Sequence, residues 1–236
     1  MSHMRGIFFD IHALVYGPEG ADFLSEVLRG EGIAAEPAEV AEVLTRLPGE
    51  LQALRQAVRT EEQEDDCNRA LLPVLLAELG AHNVTDALLM RLVETVHQQS
   101  AWYSMYPETL PVLEELKRRG YSMAVVSNWA PSLGRFVREF ELHQYLPVAV
   151  SSGEVGLPKP DPYIFHQALK RTGLPAAEVV HVGPSVGLDV AGALQAGLTP
   201  VWINRTGIPT GHEIATVTDL RGLLMLAPKA GDEPCS

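Results

Sequence analysis

Apolar residues recur with two different rhythms along this chain. Residues 7–11 (IFFDI) open with three consecutive apolar positions, too short a run for a helical stripe. They read as a brief buried strand that ends on a carboxylate, Asp10. Further on, apolar residues return every third and fourth position. They do so in PAEVAEVLTRL (37–47), ELQALRQAVRT (50–60), CNRALLPVLLAELG (67–80) and VTDALLMRLVETVHQQ (84–99), which predicts four amphipathic helices. Gly80 is expected to stop one helix and Thr85 to help start the next. No strand is expected between residues 16 and 100.

From residue 107 the rhythm alternates. The pattern predicts helices at 107–120, 131–140, 161–173, 188–197 and 218–227, and strands at 121–128, 146–152, 179–183 and 199–204. Pro131 falls in a first helical turn, and Asp161 followed by Pro162 reads as an N-cap with proline at the first helical position. The tail PKAGDEPCS reads as a frayed end. Strands that are apolar throughout and alternate with helices imply a parallel sheet covered on both faces. The expected architecture is an open α/β core, residues 1–15 and 101–236, with an all-helical insertion at residues 16–100.

Composition adds exclusions. A chain of 236 residues suffices for one core with a smaller insertion. The formal charge of −12 repels phosphate backbones and anionic lipid, so neither nucleic acid nor a membrane surface is an expected partner. No apolar run approaches the roughly 18–20 residues that span a bilayer, and IFF meets Asp10 before a signal-peptide core can form. Cys67 and Cys235 make no spaced framework, which fits a reducing compartment and a cytoplasmic location. The patterns Asn83-Val84-Thr85 and Asn204-Arg205-Thr206 carry no weight without an export signal. The acidic run EEQEDD (61–66) reads as a solvated helix start.

Open parallel sheets bind ligands beyond the carboxyl ends of their strands. The polar residues expected there are Asp10 after the first strand, Ser127 and Asn128 after the second, and Ser185 and Asp189 in GPSVGLD after the fourth. Lys159 lies in the stiff loop GLPKPDP. Two helix N-termini add unpaired N–H groups that favour an anion.

These segments in this order resemble the haloacid dehalogenase (HAD) superfamily of hydrolases, in the subgroup with a helical cap inserted after the first strand. FFDIH resembles the nucleophile motif, AVVSN the serine motif, GLPKPDPYIF the lysine motif, and HVGPSVGLDVAGALQAG the last motif. The resemblance covers nearly the whole chain and implies a HAD-like Rossmannoid sheet with an all-helical cap. It implies Asp10 as a nucleophile that forms a covalent ester, with Ser127 and Lys159 neutralising the transferring group. It also implies substrate contacts from Asn128 and Ser185, and Mg2+ held by Asp10, the backbone of His12, and Asp189. Asp189 reads equally as a salt-bridge partner of Lys159.

The sequence departs from that pattern in three places. His12 stands where the family has the acid that protonates the leaving group and later activates water. An imidazole, with an ordinary pKa near 6.5, moves protons at neutral pH but reaches differently. Pro184 stands where an aspartate follows the glycine, so this position offers neither carboxylate nor N–H. Ala13-Leu14 replaces a common Gly-Thr. The leading reading is a hydrolase acting on a small phosphorylated metabolite through Asp10, with an altered metal site and with His12 either moving the proton or serving as a packing or hydrogen-bonding residue. The alternatives are a catalytically silent relative that binds a ligand or protein, and a metal-independent hydrolase of the dehalogenase kind. Trp129 is a candidate to line the crevice, and Trp102, Tyr103 and Tyr106 are expected as packing where the insertion rejoins the core.

Overall fold

The computed structural model describes residues 4–207 and 214–227. The expected frayed tail and Cys235 lie outside the described residues. Strand β1 (Gly6–Phe9) is fully buried and is followed by a single helical turn, α1 (Ile11–Leu14). Ile11, expected at the end of the strand, instead begins this turn. The reason is local: the Asp10 side chain accepts a hydrogen bond from the His12 N–H and caps the turn. A short strand β2 (Val15–Tyr16) follows.

Five helices come next: α2 (Gly20–Gly30), α3 (Pro37–Arg46), α4 (Gly49–Ala57), α5 (Glu61–Glu78) and α6 (Asp86–His97). Their starts are written in the sequence. Glu36 and Glu39 form a reciprocal capping box around Pro37. Thr60 caps α5 through the Gln63 N–H, and Thr85 caps α6 through the Leu88 N–H. Three glutamates of the acidic run occupy the first turn of α5, where the helix dipole favours them. Gly80 follows α5 with φ +70°, a left-handed conformation that suits glycine. The helix α2 is not among those the periodicity predicts.

A second short strand, β3 (Ser104–Met105), pairs with β2. Alternation then begins: α7 (Thr109–Arg118), β4 (Ser122–Ser127), α8 (Leu133–Glu139), β5 (Val148–Ser151), α9 (Ser152–Val155), α10 (Pro162–Thr172) and β6 (Val179–Gly183). A π-turn at Val186–Val190 leads into α11 (Ala191–Gln195), then β7 (Thr199–Ile203), β8 (Thr216–Val217) and a last turn α12 (Leu223–Leu226). The helix expected at 218–227 is thus a 3-10 turn (Leu220–Gly222) running into α12.

The chain divides into two compact units, residues 1–16 with 105–236, and residues 17–104. In the first, six strands pair in the order β5-β4-β1-β6-β7-β8, all parallel. This is the α/β parallel sheet that the apolar strands predict. One core layer packs Phe8, Val126 and Val150 of the strands against Ile164, Phe165 and Ala168 of α10. The helical unit has its own core, built on Phe23, Val27, Leu28, Val40, Leu72, Leu75, Leu76 and Leu92. No helix among the described residues is long and apolar enough to cross a membrane. The chain runs from β1 out to β5 on one side and returns to β6 on the other. The switch in direction therefore flanks β1, and ligands of open α/β sheets bind at such points.

Candidate active site

Asp10 follows the central strand directly, and it is 4% exposed. Its carboxylate is surrounded by donors. Oδ1 accepts from the His12 N–H at 2.8 Å, and the His12 ring Nδ1 lies 3.3 Å away. Oδ2 accepts from the Ser127 hydroxyl at 2.9 Å and from the Lys159 ammonium at 2.5 Å. Ser127 arrives at the end of the neighbouring strand β4 because β1 and β4 pair in parallel, with Phe9 opposite Val125.

Lys159 is the centre of the arrangement. Its side chain is 2% exposed, and Nζ also donates to Asp189 Oδ1 at 2.6 Å and to the Val126 carbonyl at 3.1 Å. The loop that carries it is fixed from both sides. The Asn128 carboxamide donates to the Lys159 carbonyl at 3.0 Å and accepts from the Lys159 N–H at 2.7 Å. Asn128, expected to contact substrate, thus spends its amide on tying the lysine loop to the end of β4. Beyond the loop, Asp161 caps α10 by accepting from the Tyr163 N–H.

Asp189 reaches this cluster through the π-turn. The Val190 N–H and the Asp189 N–H both donate to the Ser185 carbonyl, at 3.2 and 2.8 Å. The extra residue in the turn rotates the Asp189 carboxylate back over β6, and such turns recur at functional sites. A Cβ on Gly183 would stand 2.2 Å from Asp189 Cγ, so the strand end must be glycine for the carboxylate to fit. Asp189 Oδ2 accepts from the Ser185 N–H at 3.0 Å. The Ser185 hydroxyl, expected at the substrate, accepts from the Leu188 N–H at 3.2 Å and caps the turn.

One member of the cluster was not expected from the sequence. His181, mid-strand in β6 and 1% exposed, places Nε2 2.9 Å from Asp189 Oδ1. Its other nitrogen, Nδ1, is buried with no hydrogen-bond partner. Burial pushes its pKa down against the pull of Asp189, so the ring is neutral and donates from Nε2. The signal was available: a histidine in the apolar run VVHVG must find a partner inside.

The electrostatics follow from these contacts. Burial alone would raise the pKa of Asp10, but Lys159 and then His12 hold it well below the usual carboxylate range. Burial also opposes the charge on Asp189, and Lys159 and His181 reverse that effect. Lys159 is held above the ordinary lysine value by Asp10 and Asp189, despite its desolvation. The site therefore presents an ionised carboxylate after β1, a hydroxyl at the end of β4 and a fixed ammonium from the loop before α10, all in contact. It can attack an electrophile and neutralise a developing negative charge.

The same contacts bear on a divalent cation. All four oxygens of Asp10 and Asp189 already accept hydrogen bonds, and an ammonium stands between the two carboxylates. Pro184 supplies no ligand, and its carbonyl accepts from Trp202 Nε1 at 2.8 Å. Among the described residues, no group of three or more His, Cys, Asp or Glu side chains is placed to hold a metal ion. The carboxylates of Asp10 and Asp189 do not fit the magnesium site expected of them; the ligand expected from His12 is its backbone carbonyl, not its ring.

The aromatic candidates are also placed. Trp129 is buried, with its ring 5.5 Å from His12 and 4.9 Å from Phe136. Tyr106 stacks beneath the Arg205 guanidinium at 3.4 Å, while Arg205 also bonds Glu108 and the Ala13 carbonyl. In the helical unit Trp102 packs edge-on against Phe23, and the Tyr103 hydroxyl donates to the Pro18 carbonyl at 2.6 Å.

Comparison with known proteins gives consistent matches. A family model described as haloacid dehalogenase-like hydrolase matches residues 51–203. The phosphoserine phosphatase of Thermus thermophilus is 36% identical over 139 residues, which are 57% of this chain and 55% of that protein. The chain thus spans little more than half the length of that relative. The (S)-2-haloacid dehalogenase 1 of a Pseudomonas species is 30% identical over 162 residues, 65% of this chain and 69% of that protein. The crystal structure of a HAD phosphatase from Thermococcus onnurineus superposes with a TM-score of 0.60 at 25% identity, covering 94% of this chain and 97% of that one.

Proposed function

Because the chain belongs to the haloacid dehalogenase-like hydrolase family, we propose that it hydrolyses a small phosphorylated metabolite through a covalent ester on Asp10. One observation carries this reading: the buried Asp10 carboxylate, which accepts from the Ser127 hydroxyl, is kept ionised by Lys159 and then His12 at the end of the central strand. In this reading Asp10 attacks the phosphoryl group, and Lys159 and the Ser127 hydroxyl stabilise its charge. His12, whose ring nitrogen stands 3.3 Å from Asp10, moves the proton to the leaving oxygen and then from the attacking water. The phosphatase relatives support the substrate class. The division into a core domain and an inserted helical domain, and a cytoplasmic location, belong to the same proposal.

The experiment is phosphate release from a panel of phosphomonoesters, with Asp10→Asn beside the wild type. Turnover that disappears in the variant upholds the reading. Equal release from both proteins would come from a contaminant and removes it.

A second reading is displacement at carbon, as in hydrolysis of a 2-haloacid. One feature favours it: a leaving halide needs no proton, so the first step does without the missing carboxylate at position 12, and only the water that hydrolyses the ester needs a base. A dehalogenase relative supports it too. Halide release from 2-chloropropionate that requires Asp10, with no phosphate release, decides for this reading.

A further inference from the structure

We infer that hydrolysis at Asp10 runs without a divalent cation, the Lys159 ammonium being the cation that stands between the two carboxylates. The inference rests on the reading of Asp10 as the nucleophile.

Three independent features converge on it. The first is the state of the lysine. Its three N–H donors have three acceptors, Asp10 Oδ2 (2.5 Å), Asp189 Oδ1 (2.6 Å) and the Val126 carbonyl (3.1 Å). Its backbone is tied at both ends to Asn128. This is a built-in cation rather than a mobile surface lysine.

The second is the state of Asp189. Oδ1 is shared between Lys159 and His181, and Oδ2 is taken by the Ser185 N–H. The glycine at 183 exists to let this carboxylate lie against the strand, in the orientation that serves the lysine. The third is position 184. A proline there withholds the carboxylate that would complete an oxygen shell, and magnesium requires near-octahedral oxygen coordination. A dication entering between the carboxylates would meet the ammonium and find no third acid.

The chemistry balances without a metal. An oxygen of Asp10 bonds to phosphorus, the bond from phosphorus to the ester oxygen breaks, and that oxygen leaves as an alcohol after taking a proton from the His12 ring. Water then adds to phosphorus and returns a proton to the His12 ring, the aspartyl–phosphorus bond breaks, and phosphate departs with the carboxylate restored. One water is consumed per ester and no electrons are transferred.

The test uses the full chain after chelation and buffer exchange. Phosphate release from a phosphomonoester panel is measured in EDTA and in millimolar MgCl2. In parallel, calorimetric titration with MgCl2 is run on the wild type and on Asp189→Asn. The expected result is a rate that changes by less than ~2-fold between the two conditions, with no saturable magnesium heat. A rate that falls more than ~10-fold in EDTA and returns with magnesium overturns the inference and leaves the Asp10 reading standing. A saturable heat in the wild type that is lost in Asp189→Asn overturns it as well. Should the panel show no Asp10-dependent turnover, the reading of function fails, and the titration still decides the metal question: heat refutes the inference, and its absence upholds a metal-free site.

Discussion

Replacing Lys159 by methionine tests the centre of the site most severely. Methionine keeps much of the length of the side chain and removes the charge. In the wild type, Nζ lies 2.5 Å from Asp10 and 2.6 Å from Asp189, with both carboxylates almost fully buried. At an effective dielectric of about 20, each contact is worth roughly 6 kcal/mol of gross Coulomb energy. Most of that offsets the desolvation of three charged groups, so the pairs are no measure of net stability. Removing only the lysine leaves two buried carboxylates without their shared ammonium, and breaking a buried pair in this way costs about 3–5 kcal/mol. For a protein of this size that corresponds to a fall in Tm of roughly 6–20 °C. The loss also has a pH signature. Without Lys159, burial opposes the charge with less to offset it and the Asp10 and Asp189 pKa values rise from their depressed positions, so the loss of stability shrinks on acidification. The assay is urea unfolding at pH 7 and pH 5 for the wild type, Lys159→Met, Asp189→Asn and the double variant. A loss under ~1 kcal/mol, or one that does not shrink at pH 5, would refute the charge arrangement argued here.

The remaining predictions are narrower. The folded pKa values of Asp10 and Asp189 are depressed, so their stabilisation is full above the unfolded value near 3.9 and is lost as pH falls toward the folded values. That of Lys159 is raised, so its contribution is full below about 10.4 and is lost as pH climbs through the folded value. Wild-type stability measured against pH is therefore expected to hold between those limits and fall outside them. Gly183→Ala drives a methyl group into Asp189, so turnover is expected to drop ~10²-fold through misplacement of Lys159; an unchanged kcat would contradict the packing. Thr85→Ala removes the cap of α6 and is expected to cost about 1 kcal/mol, read by thermal unfolding.

The core strands were legible because a strand buried on both faces has little choice but a short apolar run bounded by turns. Helix starts at Thr85 and Asp161 were legible because capping chemistry is local. The helix α2 was not, since glycines stand at both of its ends and only Phe23, Ser25, Val27 and Leu28 are buried along its 11 residues. The short strands β2, β3 and β8 have two residues each, below any periodic signal. In the site, Asp10, Ser127, Lys159 and Asp189 could be named from strand ends, and the fold brings all four together. The Lys159–Asp189 ion pair was one of the two readings of Asp189, and the other connections were not readable. The π-turn depends on one extra residue between Ser185 and Val190, which the helical pattern does not reveal. Asn128 looked like a ligand contact because its position is at a strand end, whereas its two bonds to Lys159 come from a loop 31 residues away. His181 escaped notice because it sits inside a strand rather than at its end.

The central claim is that Asp10 becomes covalently esterified, and acid-quenched mass spectrometry tests it most directly. The wild type is mixed with a phosphomonoester that it turns over, quenched within the first turnover and digested. A phosphoryl group on the peptide that carries Asp10, absent from Asp10→Asn, is the predicted result. An unmodified Asp10 peptide throughout the turnover, with phosphate still released by the variant, would contradict it.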